Sequence, residues 1–352
     1  MALLTAAPTG PVRPSVRADR RARRRRGHVV TVSLAVLACA LFVLTMMVGS
    51  YFVSGIDVVR SLLHVSDDAG VDFIVQELRL PRATAALAVG LALGISGTLF
   101  QQLLANPLAS PDFIGISSGA SLAAVSGIIV FQLGGYGISA LALVGALGSA
   151  ALIYLVAWRG GISGYRLILV GIGVSQFMLS IVTYLIARAN IYEAREAMHW
   201  LVGSIGQSGG PELRALVGSL LVLGPVALVL NRPLRALELG DDTAAALGTR
   251  VELSRLGLIA VSIALVAFAT SVAGPIAFVA LVAGPIAHRI LGPAPGGIIA
   301  SALVGASIVL AADLVSQHLL PLALPTGVVT GAVGAPYLIW LLATVNRQGR
   351  GG

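Results

Sequence analysis

The sequence predicts an all-α polytopic membrane protein with about ten transmembrane helices. Of its 352 residues 57% are hydrophobic and only 11% are charged, against about a quarter charged in soluble domains. Apolar runs of about 20 residues, the length that crosses a bilayer core, recur along the chain. The arginines are distributed unevenly between alternate connecting segments, as the positive-inside rule requires.

Residues 1–28 are Pro- and Arg-rich without apolar periodicity and read as a disordered cytoplasmic tail. The formal charge of +8 lies almost entirely in this tail, which points to orientation in a membrane rather than to nucleic acid. The first span is residues 29–53, longer than a signal-peptide core. Its Cys39 is the one cysteine in the chain, so neither a disulfide nor a cysteine metal site is available. Residues 54–77 carry Asp57, Arg60, Asp67, Asp68, Asp72 and Glu77 among scattered apolar residues, the pattern of a short surface helix and loop.

A second helix is expected to start at Leu80 or Pro81, because proline is pre-organised for a first turn. No charge falls between Ala83 and Leu104. Gly90, Gly94 and Gly97 lie near one face of that span, and the small-xxx-small pair Gly90/Gly94 admits a close neighbour. Gln101, Gln102 and Asn106-Pro107 end it. Further spans are expected at 113–133, 138–158 and 167–187, with a short inner loop at 159–166. The fifth has a mildly polar face of Gly171, Gly173, Ser175, Gln176, Ser180 and Thr183. Gln101, Asn106, Ser175 and Gln176 are therefore candidate lining residues of a translocation path.

Residues 188–214 form the longest outer segment, and a short sixth span follows at 215–230. The main inner loop, 231–255, is punctuated by special residues. Pro233 is expected to stop the sixth helix, Gly240 to end a short helix, and Asp241 or Asp242 to cap another that Gly248 terminates. Two short helices at right angles to the spans would make a compact knob. Four more spans, 256–273, 275–287, 298–315 and 327–345, complete the membrane domain of 29–346, leaving a short inner tail at 347–352. With both termini inside, seventeen of the 23 arginines face the cytoplasm. Spans two to five and seven to ten then run in opposite topology, as an inverted repeat requires.

Every one of the basic residues is arginine. A phosphate-binding loop needs a lysine to reach the β- and γ-phosphates, so ATP-driven transport requires a separate ATPase chain. No catalytic residue is assigned. Gly115-Ile116-Ser117-Ser118-Gly119 fits the G-x-S-x-G hydrolase pattern, but no histidine falls at its depth to serve as base. Asp313 is the one acid near an apolar span, and such groups are usually functional or paired. His288 and His318 flank spans and read as interfacial.

Read as R-L-P-R at 79–82, G-x-x-x-G-I-S-G at 90–97, a glutamine, N-P-L-A-S-P at 106–111 and G-I-S-S-G-A at 115–120, the second and third spans resemble the FecCD family. These are permeases of ABC importers for ferric siderophores, haem and vitamin B12. Residues 274–292 and 305–342 resemble the family's C-terminal half. The resemblance implies a vitamin B12 permease-like fold with inverted repeats and no cofactor. It also implies two copies of an ATPase subunit, a second permease and an extracytoplasmic binding protein as partners. It places binding-protein docking on Arg79 and Arg82. Coupling to the ATPase falls on Leu239, Gly240, Asp241, Asp242, Ala245, Leu247 and Gly248.

Two departures matter. Gln317 stands where some members have an arginine, and the family's usual glutamate is missing ahead of Leu324-Pro325. They favour a heterodimer over a homodimer, and the C-terminal pattern resembles the catecholate-siderophore permeases. Haem or vitamin B12 permeases are the alternative, and an ion-coupled secondary transporter is the rival of a different class.

Overall fold

A computed structural model describes residues 16–49, 51–66, 68–158, 164–207, 210–292, 294, 296–319 and 322–348. All regular structure among them is helical. The elements are α1 (Val16–Met47), α2 (Gly55–Leu62), α3 (Ala69–Asp72), α4 (Leu80–Leu103), α5 (Ile116–Ile129), α6 (Tyr136–Ala157) and α7 (Gly164–Arg188). They continue as α8 (Ile191–Val202), α9 (Gly210–Leu237), α10 (Asp241–Ala246), α11 (Val251–Ala273), α12 (Val279–Leu291), α13 (Gly297–His318) and α14 (Thr326–Gln348). Among the described residues seven helices are long and apolar enough to cross a membrane, and three shorter apolar ones are α5, α12 and most of α14. The predicted ten spans are therefore all helical.

The central element is α4. Its residues from Ala83 to Gln101 are almost all buried, and it packs against α13, α11, α12, α9 and α1. The glycines explain how. A Cβ on Gly90 or Gly94 would strike the backbone of Ser301, Gly305 and Ala306 in α13, and one on Gly97 would strike Ala280 in α12. The small face read from the sequence is thus met by a second small face, Ser301/Gly305.

The inverted repeat is visible in lengths and contacts. Helices α4, α5, α6 and α7 have 24, 14, 22 and 25 residues, and α11, α12, α13 and α14 have 23, 13, 22 and 23. Exchanging the two sets maps the contacts α4–α13, α4–α12, α5–α6, α5–α7 and α6–α7 onto α11–α6, α11–α5, α12–α13, α12–α14 and α13–α14, all of which are present. Where α4 crosses α11, the Ser96 hydroxyl donates to the Ser262 carbonyl at 2.7 Å and the Ser262 hydroxyl donates back to the Ser96 carbonyl at 2.9 Å. Both short helices are entered through a left-handed residue, Gly115 at φ 88° and Phe278 at φ 67°.

Several sequence expectations are corrected. The basic segment is not an irregular tail throughout: α1 begins at Val16 and carries its arginines in helix, because arginine is a good helix former and no proline follows Pro14 before Met47. Residues 1–15 and the inner turn at 159–163 lie outside the described residues. The third span shrinks to α5, and the eighth keeps its length but shifts four residues along the chain to α12, since the chain ahead of each is non-α-helical. Pro233 does not stop the sixth span. Helix α9 runs through both Pro225 and Pro233 to Leu237, as membrane helices do when neighbours re-satisfy the freed carbonyls.

Candidate functional site

Two ends of the bundle and its middle hold the residues in question. The near end carries the arginine-rich start of α1, and the far end carries the start of α4.

At the near end the inner loop forms one short helix, not two. After α9 the chain turns at Gly240, with φ 96°, into α10, whose N-cap is this glycine without a side-chain cap. Asp241 and Asp242 are first-turn residues, which corrects their expected capping role, and there they favour the positive end of the helix dipole. The Arg255 guanidinium donates to both Asp241 carboxylate oxygens at 2.9 and 3.1 Å, tying α10 to α11. The other end is a left-handed glycine cap: Gly248, at φ 83°, donates to Ala245 and Thr249 donates to Ala244. Ala244 is buried, while Ala245 is exposed and Leu239 and Leu247 stand 63% and 65% exposed on either side of α10. The result is a compact knob whose apolar surface is left exposed among the described residues.

At the far end the two expected docking arginines are both engaged within the chain. Arg79 donates to the carbonyls of Met46 and Met47 at 2.8 and 2.9 Å and to that of Tyr51, satisfying orphan acceptors where α1 ends. Arg82 makes a bidentate ion pair with Asp313, Nε to Oδ2 at 3.0 Å and Nη2 to Oδ1 at 2.9 Å. Asp313 is completely buried and also accepts from the Gln317 amide at 2.7 Å and the Thr326 hydroxyl at 3.0 Å. One carboxylate thus joins α4, α13 and α14. Gln317 is turned inward onto it. The Arg82 side chain is 27% exposed, and with Arg79, Glu77, Gln317 and His318 it lines an open cavity of about 450 Å³. The sequence placed Arg82 and Asp313 near the same membrane surface with opposite charges, a signal that could have paired them.

Helix α8 lies within the long outer segment, for which no helix is expected from the sequence. Its signal was the capping box Asn190/Glu193, which the structure forms. The helix ends at Gly203, which accepts from Gly327, while Ser204 donates to Ala273. These bonds fasten α8 to the end of α11 and the start of α14.

The four candidate path residues are not brought together. Gln101 is buried, with its amide donating to the Leu281 carbonyl at 2.8 Å. Asn106 caps its own turn through Leu108. Ser175 bonds back to Gly171 and packs near Gly115. Gln176 is exposed, and with Ser180 and Thr183, also exposed, it makes a polar stripe at i, i+4, i+7 on the open face of α7. Between the entries of the two short helices lies an apolar cavity of about 420 Å³, lined by Ser110, Asp112, Ser117, Pro275, Phe278 and Leu281. The Ser117 hydroxyl donates to Asp112 Oδ1 at 2.7 Å, so the G-x-S-x-G serine is bound to a carboxylate that stabilises the turn into α5.

Residues 36–344 match the FecCD transport family. The chain belongs to this family. It is 40% identical over 276 residues to the ferric enterobactin transport system permease protein FepG of Escherichia coli, covering 78% of this chain and 84% of that protein. It is also 40% identical over 316 residues to the achromobactin transport system permease protein CbrC of Dickeya dadantii, covering 88% and 90%. In structure it resembles a chain described as a metal-chelate-type ABC transporter in an inward-facing conformation, with a TM-score of 0.80 and 26% identity, covering 90% of this chain and 99% of that one. Membership of FecCD makes this a transport subunit, and the matched range includes the knob around α10.

Proposed function

We propose that this FecCD chain is the permease of an ABC importer that carries an iron(III)–siderophore complex into the cell by alternating access. The observation that carries the reading is the 40% identity, over most of both chains, to permeases named for ferric enterobactin and achromobactin. Cargo would pass between this chain and a second permease, for which the open polar stripe of α7 and the mid-depth cavity at Phe278 are suited. A different, related permease is the favoured partner, because Gln317 replaces a cation and is spent on Asp313.

The near end is the cytoplasmic end in this reading, and both termini lie there. The knob from Leu239 to Gly248 fits a cleft of an ATPase subunit, two copies of which would supply the energy. Glycine caps and the Arg255–Asp241 pair hold it rigid enough to transmit a push. At the far end the cavity of Arg79 and Arg82 would meet an extracytoplasmic siderophore-binding protein. Both arginines there work chiefly by holding the helix ends in register, with the residual exposure of Arg82 available to an acidic partner.

The test targets the knob. Leu239→Glu/Leu247→Glu places charge on its exposed apolar surface and leaves the turn glycines Gly240 and Gly248 in place. In mild detergent this variant is expected to remain folded and to lose the co-purifying ATPase subunit, and in intact cells it is expected to abolish uptake of radioiron-labelled siderophore. An ATPase recovered equally with wild type and variant would remove the coupling assignment. Siderophore uptake that proceeds with no ATPase subunit present would instead favour an ion-coupled carrier.

A further inference from the structure

The near end holds a second feature, separate from the knob and from the path. A cavity of about 490 Å³ opens between α1, α4, α9, α12 and α13, lined among others by Arg20, Arg23, Arg24, Arg235, Glu238 and Gln102. Its volume falls within the roughly 300–1,000 Å³ of small-ligand pockets. Four guanidinium groups face one carboxylate in it. Among the described residues no hydrogen bond or ion pair engages Arg20, Arg23, Arg24 or Arg235, whereas Arg26, Arg79, Arg82, Arg188 and Arg255 all have partners.

The convergence is built. Arg26 donates to the Ile290 carbonyl at 3.0 Å, at the end of α12, and this contact fixes the arginine-bearing turns of α1 over the mouth. From the opposite wall α13 presents its first turn, at Gly297 and Ile298. Its N-cap is Gly296, with no side-chain cap, so the positive end of a 22-residue helix adds to the field of the arginines. The His288 ring closes the wall, with its Nε2 3.1 Å from the Gln102 amide. The lining residues of α4 and α13 are the last and first turns of membrane-crossing helices, which sets the cavity at the interface rather than in free solution.

We propose that this cavity is a binding site for a phosphate-bearing anion at the membrane surface. Arginines suit the task because their planar forks bind phosphate oxygens in pairs, and basic pockets between transmembrane helices are where anionic headgroups are held. The phosphate can come from a phospholipid headgroup or from a soluble phosphate, and the two sources differ in what competes. Bound there, it would join the start of α1 to Arg235, next to the turn that leads into α10.

The experiment measures binding of dioctanoyl phosphatidylglycerol to the delipidated full-length chain in maltoside micelles by native mass spectrometry. Arg20→Gln/Arg24→Gln removes two cavity arginines spaced i, i+4. Arg21→Gln/Arg25→Gln removes the same charge at the same spacing from outside the lining. The first pair is expected to weaken binding about tenfold or more, because its guanidinium groups line the cavity, and the second less than about twofold. Glu238→Gln is expected to tighten binding, a gain that a folding defect would not produce. Competition by inorganic phosphate would identify a soluble source, and its failure a lipid headgroup. The proposal is overturned if both arginine pairs weaken binding equally, if neither does, or if wild type binds phosphatidylglycerol no better than phosphatidylcholine.

Discussion

Arg82→Ala is expected to cost the protein several kcal/mol of stability, more than any other single change at the far end. Asp313 has no exposure, and removing one member of a buried ion pair strands the other, a cost of about 3–5 kcal/mol. The Gln317 and Thr326 hydrogen bonds remain, but neither carries charge to offset the carboxylate. Asp313→Ala should also destabilise, though less, because the Arg82 side chain reaches water. The double variant Arg82→Ala/Asp313→Ala removes both charges and strands neither, so it should lose less than the sum of the two single losses. Thermal unfolding of the four proteins in one detergent gives the coupling between the two sites. If the double variant loses the sum of the two single losses, the pair contributes nothing as a pair and the assignment fails.

Gly94→Leu is expected to prevent the bundle from closing. Any Cβ at this position meets the backbone of Ser301 and Ala302, and backbone cannot turn aside as a flexible side chain can. Overpacking usually costs about 1–3 kcal/mol, and more where the obstruction is rigid. Here α4 and α13 would have to separate, and the Arg82–Asp313 pair that spans the same two helices would open with them. Gly148→Leu in α6 is the control, because a Cβ there meets no atom within 4 Å. The expected result is a monodisperse Gly148→Leu protein and aggregated or absent Gly94→Leu protein on size-exclusion chromatography. Normal behaviour of Gly94→Leu would mean that α4 and α13 are not packed at glycine distance.

The elements that were legible share a cause. Length and apolarity of the spans, the glycine-capped turn at Gly248 and the small face of α4 all follow from residues close together in the chain and from the thickness of a bilayer. What failed was of two kinds. Pro233 was read as a stop because an isolated helix loses a bond there, whereas α9 continues through it inside the assembled bundle. The third span is expected too long and the eighth starts four residues too early, because an apolar run does not reveal where its backbone enters or leaves the helix.

Arg82 and Asp313 mark the division most clearly. By itself the sequence determined a helical membrane transporter subunit of the FecCD family, with its basic segment at one end, its capped knob between α9 and α11, and no lysine with which to bind nucleotide. Only the tertiary structure decided that Arg82 meets a carboxylate 231 positions away, that Gln317 turns inward onto it, that Gln101 is buried, and that four arginines from α1 and α9 converge on one cavity. Local pattern is set by near neighbours and by the solvent. Which charges and which small faces meet is set by the packing of helices that the chain brings together only when it folds.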